Sequence, residues 1–401
     1  MLFLTKMMNY IKTKGFILAF ILLPIIVYSQ SDKKSKQLFI QAGYQNGYVF
    51  ATNDFLNGAN AEKDTINSFQ SFTIKLGKQT TGENQWEQLY KYPNYGIGVY
   101  MADFHNPEEI GTPFAIYGFF NAPFKRWNKL TFNYELGFGA TFNWKSFNPI
   151  TNNYNTSIGA GQSFFIDAGL NLQYCLTNRL DIETGFSLTH FSNGALKKPN
   201  EGINTIAPKI SLKYNFENRP DFIKSEIFEY EKENEWLVSF FGGIKNVIFE
   251  DVTIDVIEKY EGINFPVFGI STVFNKQVSY KSKIGVGMSV SYNGALDAQA
   301  AVENNELEAL DSPFIDKLQL SIYPSYELII NKVSLILQPS FYLYRKNIKT
   351  NTPVYYQKIG LKYQFTKDFF AGITLRSYDF KTSDFIEWNV GYRIKWRKKS
   401  K

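Results

Sequence analysis

The residues best equipped for chemistry are His190 and Ser192. Asn193 follows them directly, then Pro199, Asn200, Glu201, Gly202 and Asn204 a short stretch further on. Ile182, Phe186 and Leu188 alternate ahead of the pair as in a β-strand, so residues i and i+2 share a face, about 7 Å apart. His190 and Ser192 continue that apolar row, close enough for an imidazole to reach a hydroxyl. By the same parity Asn204 falls on the same face of the next strand, and a tight connection can set it beside His190. A hydroxyl next to an imidazole that a third group orients is the nucleophile–base arrangement of acyl transfer. A plainer account fits the spacing too: the three polar residues mark where strands leave an apolar layer for a polar one. The only other histidine, His105, lies in Phe104-His105-Asn106-Pro107 with no ligand partner at metal spacing, and reads as a solvated loop residue.

These residues need strands to hold them. Eight alternating segments run near 37–50, 67–78, 95–104, 113–122, 128–145, 160–176, 180–193 and 204–216. In the sixth, Phe164, Ile166, Ala168, Leu170, Leu172 and Tyr174 share one face, and Asp167, Gly169, Asn171 and Gln173 the other. Residues 217–235 are charged, contain one proline and show no period of two, which predicts a solvated linker with room for a short helix. A second set of eight segments follows near 236–248, 264–275, 280–293, 313–328, 331–346, 354–366, 368–380 and 384–397. Ile97-Gly98-Val99-Tyr100-Met101 recurs as Ile284-Gly285-Val286-Gly287-Met288, and Gly169-Leu170 as Gly360-Leu361, at a nearly constant displacement. That is the mark of a divergent repeat.

Residues 1–30 read as an export signal: Lys6, Lys12 and Lys14, an apolar run from Phe16 to Val27, then Tyr28-Ser29-Gln30. The run is shorter than the about 20 residues a spanning helix needs. With 37 Phe, 26 Tyr and 6 Trp, the chain is aromatic-rich, and its net charge of +6 is scattered, which argues against nucleic acid as a partner. The single Cys175 supports neither an intrachain disulfide nor a metal cluster. An exported chain with apolar-out, polar-in strands suggests an all-β, antiparallel outer-membrane barrel, because lipid leaves every backbone polar group to be paired internally. A soluble sandwich alternates in the opposite sense. Phe216 and Trp396 each end a terminal strand on an aromatic. With the long linker between them, this favours two tandem eight-stranded barrels over one of sixteen strands.

The run His190-x-Ser192-Asn193, then Pro199-Asn200-x-Gly202, resembles the PagL-type lipid A 3-O-deacylases (acyloxyacyl hydrolases), outer-membrane esterases of Gram-negative bacteria. The similarity covers about the first half of the chain. It implies a PagL-like barrel over 31–216 whose site faces the outer leaflet, with lipid A of lipopolysaccharide as the partner, a 3-O acyl ester as the bond cut, and no cofactor or metal. Carried over by position, Ser192 is the nucleophile and His190 its general base. Asn193 and Asn200, with nearby backbone N–H groups, support the oxyanion. One position departs: the family's third member is a glutamate, and here it is Asn204. An asparagine can hold an imidazole in one tautomer but supplies no charge to an imidazolium, which implies reduced activity or a different substrate; Glu201 is the alternative carboxylate. The second half, 236–401, has no histidine, and Arg376-Ser377-Tyr378-Asp379 stands where the motif would recur. A non-catalytic porin or transporter keeping the motif as a relic is the rival reading, and an assembly or adhesion protein a third.

Overall fold

A computed structural model of the chain describes residues 37–227, 233–249, 252–346, 353–379 and 382–397. The export signal expected over 1–30 lies outside the described residues. The first eight strands are β1 (Leu38–Phe50), β2 (Ser68–Gln79), β3 (Asn94–Asp103), β4 (Gly111–Arg126), β5 (Leu130–Trp144), β6 (Ser163–Cys175), β7 (Leu180–Ser192) and β8 (Ile203–Asn215). The second eight are β9 (Glu233–Lys245), β10 (Phe265–Gln277), β11 (Ser282–Asn293), β12 (Leu318–Ile330), β13 (Val333–Arg345), β14 (Tyr355–Gln364), β15 (Phe369–Tyr378) and β16 (Thr382–Arg397). Each set closes on itself as an antiparallel barrel. Ala42 of β1 pairs with Ile74 on one side and Leu212 of β8 on the other; Ser239 of β9 pairs with Ser271 and with Gly391 of β16. The first sheet thus ends where it began, before the linker, and closure leaves no unpaired edge in either half.

The outer face of the wall is apolar and open. Phe72, Ile74, Leu76, Phe186, Leu188, Ile210 and Leu212 are all about half exposed or more, a belt suited to lipid and far too large for water. The inner face carries charge. Lys75 and Lys209 reach Glu135 Oε1 at 2.5 and 3.3 Å, and Asn121 donates to the other carboxylate oxygen at 3.0 Å. Lys283 in the second barrel lies 2.7 Å from Glu235 and 3.7 Å from Glu327, which also holds Lys362 at 2.6 Å. Charges this deep are tolerable only when fully partnered.

One part of the lumen departs from the expected polar face. Phe104, Trp144, Phe165 and Phe191 fill the end of the first barrel from which the long loops rise. Alternation hides them, because Phe164-Phe165 and Phe119-Phe120 put the same chemistry on both faces. Phe191 is wholly buried, with ring centroids 5.3 Å from Trp144 and 5.8 Å from Phe165. Burying such a ring contributes about 1.5–3 kcal/mol, so it pins the end of β7 from inside while its neighbours His190 and Ser192 point outward.

Among the described residues, three α-helices escape the period-two reading: α1 (Gln85–Leu89) between β2 and β3, α2 (Ile254–Tyr260) and α3 (Leu296–Glu303). The last two pack Val256 and Tyr260 on Ala298, Ala301 and Val302 above the second barrel. The linker region, expected to be solvated, has no buried residue over 217–227. Phe222 stacks on Tyr92 at 4.3 Å and the Ile223 N–H donates to Thr81 O at 2.8 Å, so the described part of it lies along the first barrel without a helix. Its last residues, from Glu233, already belong to β9.

Candidate active site

The register decides which polar side chains meet. In the β7–β8 ladder His190 is the direct partner of Asn204, as Leu188 is of Ile206. Both stand on the outward row, and His190 Nδ1 lies 2.7 Å from Asn204 Oδ1. An amide oxygen only accepts, so the ring donates from Nδ1 and leaves the Nε2 lone pair free to take a proton. This is the tautomer a general base requires.

Ser192 ends β7, two residues further along the row. Its Oγ accepts from Asn200 Nδ2 and from the Gly194 N–H, each at 3.1 Å. With both acceptor positions taken, the hydroxyl proton is the part left to donate. Gly202 passes beside both His190 and Ser192. A Cβ built on it would sit 3.2 Å from His190 Cε1 and 3.6 Å from Ser192 Cβ, at a backbone φ of +77°. Only glycine lets the returning loop pass there.

The other two expected site residues are placed differently. The Asn193 side chain turns away from Ser192 and donates to Lys197 O at 2.7 Å, while its backbone N–H donates to Asn200 Oδ1 at 2.8 Å. Asn193 therefore holds the loop, and Asn200 alone of the two presents its amide to the hydroxyl. Glu201, the alternative carboxylate, is exposed and accepts from Thr156 Oγ1 at 2.7 Å. It does not stand at the imidazole; Asn204 fills that position. A loop residue in a left-handed turn is free to direct its side chain by local hydrogen bonding, and sequence spacing gives no hold on that choice.

The Gly194 N–H is one of the nearby backbone donors expected beside Asn193 and Asn200. Two contributors escaped sequence reasoning: Asn53 and Ser157, from the β1–β2 and β5–β6 loops. Asn53 Nδ2 donates to Gly202 O at 3.2 Å and to Ser157 Oγ at 2.9 Å, and the Gly202 N–H donates to Ser157 O at 2.9 Å. Three loops are thereby tied over the site. His105 is exposed, with Nδ1 3.7 Å from Asp103, and among the described residues no group of His, Cys, Asp or Glu is arranged to hold a metal.

Two family models match the chain: lipid A 3-O-deacylase (PagL) over residues 71–214, and the acyloxyacyl hydrolase C-terminal domain over 234–396. The chain belongs to the PagL-type lipid A deacylase family. Membership makes it an outer-membrane β-barrel protein of a hydrolase family that acts on lipid A. No curated protein matches it. Among solved structures it is similar to the outer-membrane enzyme PagL at 16% identity, over 43% of this chain and 97% of that one, with a TM-score of 0.27. It is also similar to the KdgM porin (6%, 71% and 94%, TM-score 0.17) and to Omp33 of Acinetobacter baumannii (8%, 90% and 98%, TM-score 0.16). At such scores these likenesses carry nothing further.

Proposed function

We propose that this protein hydrolyses the 3-O acyl ester of lipid A with Ser192 as nucleophile, His190 as general base and Asn204 as the group that orients the imidazole. The observation that carries this reading is the His190–Asn204 contact on a lipid-facing row, one alternation from Ser192. Ser192 Oγ attacks the ester carbonyl and its proton passes to His190 Nε2. The carbonyl oxygen takes up the negative charge, and Asn200 Nδ2 and the Gly194 N–H, already beside Oγ, are the donors to receive it. Collapse breaks the bond to the sugar oxygen, which takes the proton from His190 and leaves as an alcohol. Water then attacks the acyl-serine, giving its proton to His190. The second tetrahedral intermediate expels the serine, which regains the proton, and a free fatty acid departs.

Asn204 orients the ring without charge, so the imidazolium formed on the way is less stabilised than beside a carboxylate. The reading therefore includes a slow enzyme. The site stands at the loop end of the barrel, at the height of an outer-leaflet acyl ester if the long loops face outside, as they do in outer-membrane barrels. The porin reading has less support, since ion pairs and aromatic rings occupy the lumen of the first barrel. Ser192→Ala should abolish release of 3-hydroxy fatty acid from purified lipid A while the protein keeps the heat-modifiable migration of a folded barrel. Undiminished release would remove Ser192 from the mechanism.

A further inference from the structure

The second barrel has no histidine at the corresponding strand end, yet one of its side chains lies against the turn that follows Ser192. Ile386 belongs to the outward row of β16 with Trp388 and Val390. Val390 is 60% exposed there, and Ile386 only 3%. What covers Ile386 is the first barrel. A Cβ built on Gly194 would fall 2.6 Å from Ile386 Cδ1, 2.8 Å from its Cγ1 and 3.5 Å from Leu375 Cδ1. Leu375 of β15 is the direct ladder partner of Ile386, so the two form one apolar pad on the second barrel's outer wall.

Gly194 has a φ of +63°, and it carries the N–H that points at Ser192 Oγ. The pad therefore seats against the residue whose backbone donor serves the nucleophile. The barrels also meet at the opposite end. Tyr90 Oη donates to Ile329 O at 2.6 Å, and the Lys281 ammonium lies 4.3 Å from the Tyr90 ring centroid. Held at both ends, the second barrel presents a fixed surface to the Ser192–Gly194 turn and does not merely touch it.

We infer that Ile386, seconded by Leu375, is a positioning residue for the reaction: the second barrel braces the turn so that the Gly194 N–H stays aimed at the oxyanion. The inference rests on the Ser192 reading above. An aliphatic pad holds no donor and touches no reacting atom, so its effect is on geometry alone. Donor geometry matters because the charge it serves develops only in the transition state.

The test is steady-state kinetics of the full-length protein on purified lipid A in detergent. Losing an oxyanion donor costs about 100- to 1,000-fold in kcat, and a loosened one should cost about tenfold, so Ile386→Ala is expected to lower kcat by that factor with KM little changed. Ile386→Val should recover most of the loss. Val390→Ala, on the same strand and face but in the open belt, should match wild type. If Ile386→Ala fails to give the migration of folded barrels, Leu375→Ala carries the test, with a smaller loss of kcat expected. Wild-type kcat in the folded Ile386→Ala or Leu375→Ala variant beside an inactive Ser192→Ala would overturn the inference alone. A fully active Ser192→Ala would remove the reading beneath it as well.

Discussion

The ends of β7–β8 and of β15–β16 occupy the same place in two closed eight-stranded barrels, and they use it for different ends. In the first barrel the outward row carries His190, Ser192 and Asn204, and residues 193–202 cross between the strands with room for Asn200 to reach back. In the second barrel the polar groups at that height turn inward. Lys245 lies 2.5 Å from Asp384 Oδ1, Arg376 Nε lies 2.9 Å from Oδ2, and Tyr378 donates to the same carboxylate at 3.0 Å. Its outward row stays apolar, and part of it covers the other barrel's turn. Scaffold and chemistry are thus separable in this fold. Both barrels carry ion pairs on the inner face, and on the reading proposed above a few outer-row residues of the first decide whether it reacts.

The largest way to break that comparison is from the inside. Glu135→Gln leaves Lys75 and Lys209 buried without their anion and should destabilise the first barrel by about 3–5 kcal/mol. Glu327→Gln strands Lys362 and Lys283 in the same way in the second. Urea titrations of the folded, compact band in cold electrophoresis should show each variant unfolding at a lower urea concentration. Equal midpoints with wild type would mean that the inner networks are not what holds the walls.

A smaller effect sharpens the chemical side. Asn204→Glu puts a carboxylate where the imidazolium forms, and should raise kcat on lipid A by about tenfold, most of it in the step that charges the ring. An unchanged or lower kcat would show that Asn204 is already the better partner at this site.

The smallest concerns the loops over the second barrel. Burial opposes charge on Asp297. The Ser312 N–H at 2.9 Å and the Lys317 ammonium at 3.0 Å overcome that, so its carboxyl sits below the usual carboxylate range. A lowered folded-state pKa stabilises the loop above the ordinary carboxylate range, and the contribution fades as pH falls through the lowered value. Asp297→Asn should loosen this loop at neutral pH, since the Ser312 N–H and the Lys317 ammonium lose their anion. It should speed limited proteolysis of residues 294–317 there, and erase the difference from wild type in acid. A difference that persists in acid would assign the effect to packing.

Much of the fold was legible because lipid imposes a strict rule. A wall with apolar residues outside must alternate, so Leu188, His190 and Ser192 could be put on one face, and Asn204 on the matching row of β8, by counting. The count was less useful where aromatics stand on both faces, as at Phe164 and Phe165. It could not see helices in loops, which have no period of two. Within the site, Asn193 and Asn200 looked equivalent on paper. Their amides part company because the turn at Gly194 and Ala195, both at positive φ, sends one back to the loop's own carbonyl and brings the other to Ser192.

The amino-acid sequence by itself determined the strands, their parity, the placement of a base and a hydroxyl on the greasy side, and the absence of a second motif. Backbone geometry requires these: the pleat has a period of two and the membrane tolerates no unpaired edge. Only the tertiary structure decided where each sheet closes, that the imidazole meets an amide oxygen and not Glu201, and that Ile386 rests on Gly194. Closure and the His190–Asn204 pairing depend on ladder register, which the whole sheet sets and the parity of one strand does not; the Ile386–Gly194 contact joins separate barrels, where packing alone sets what lies against what.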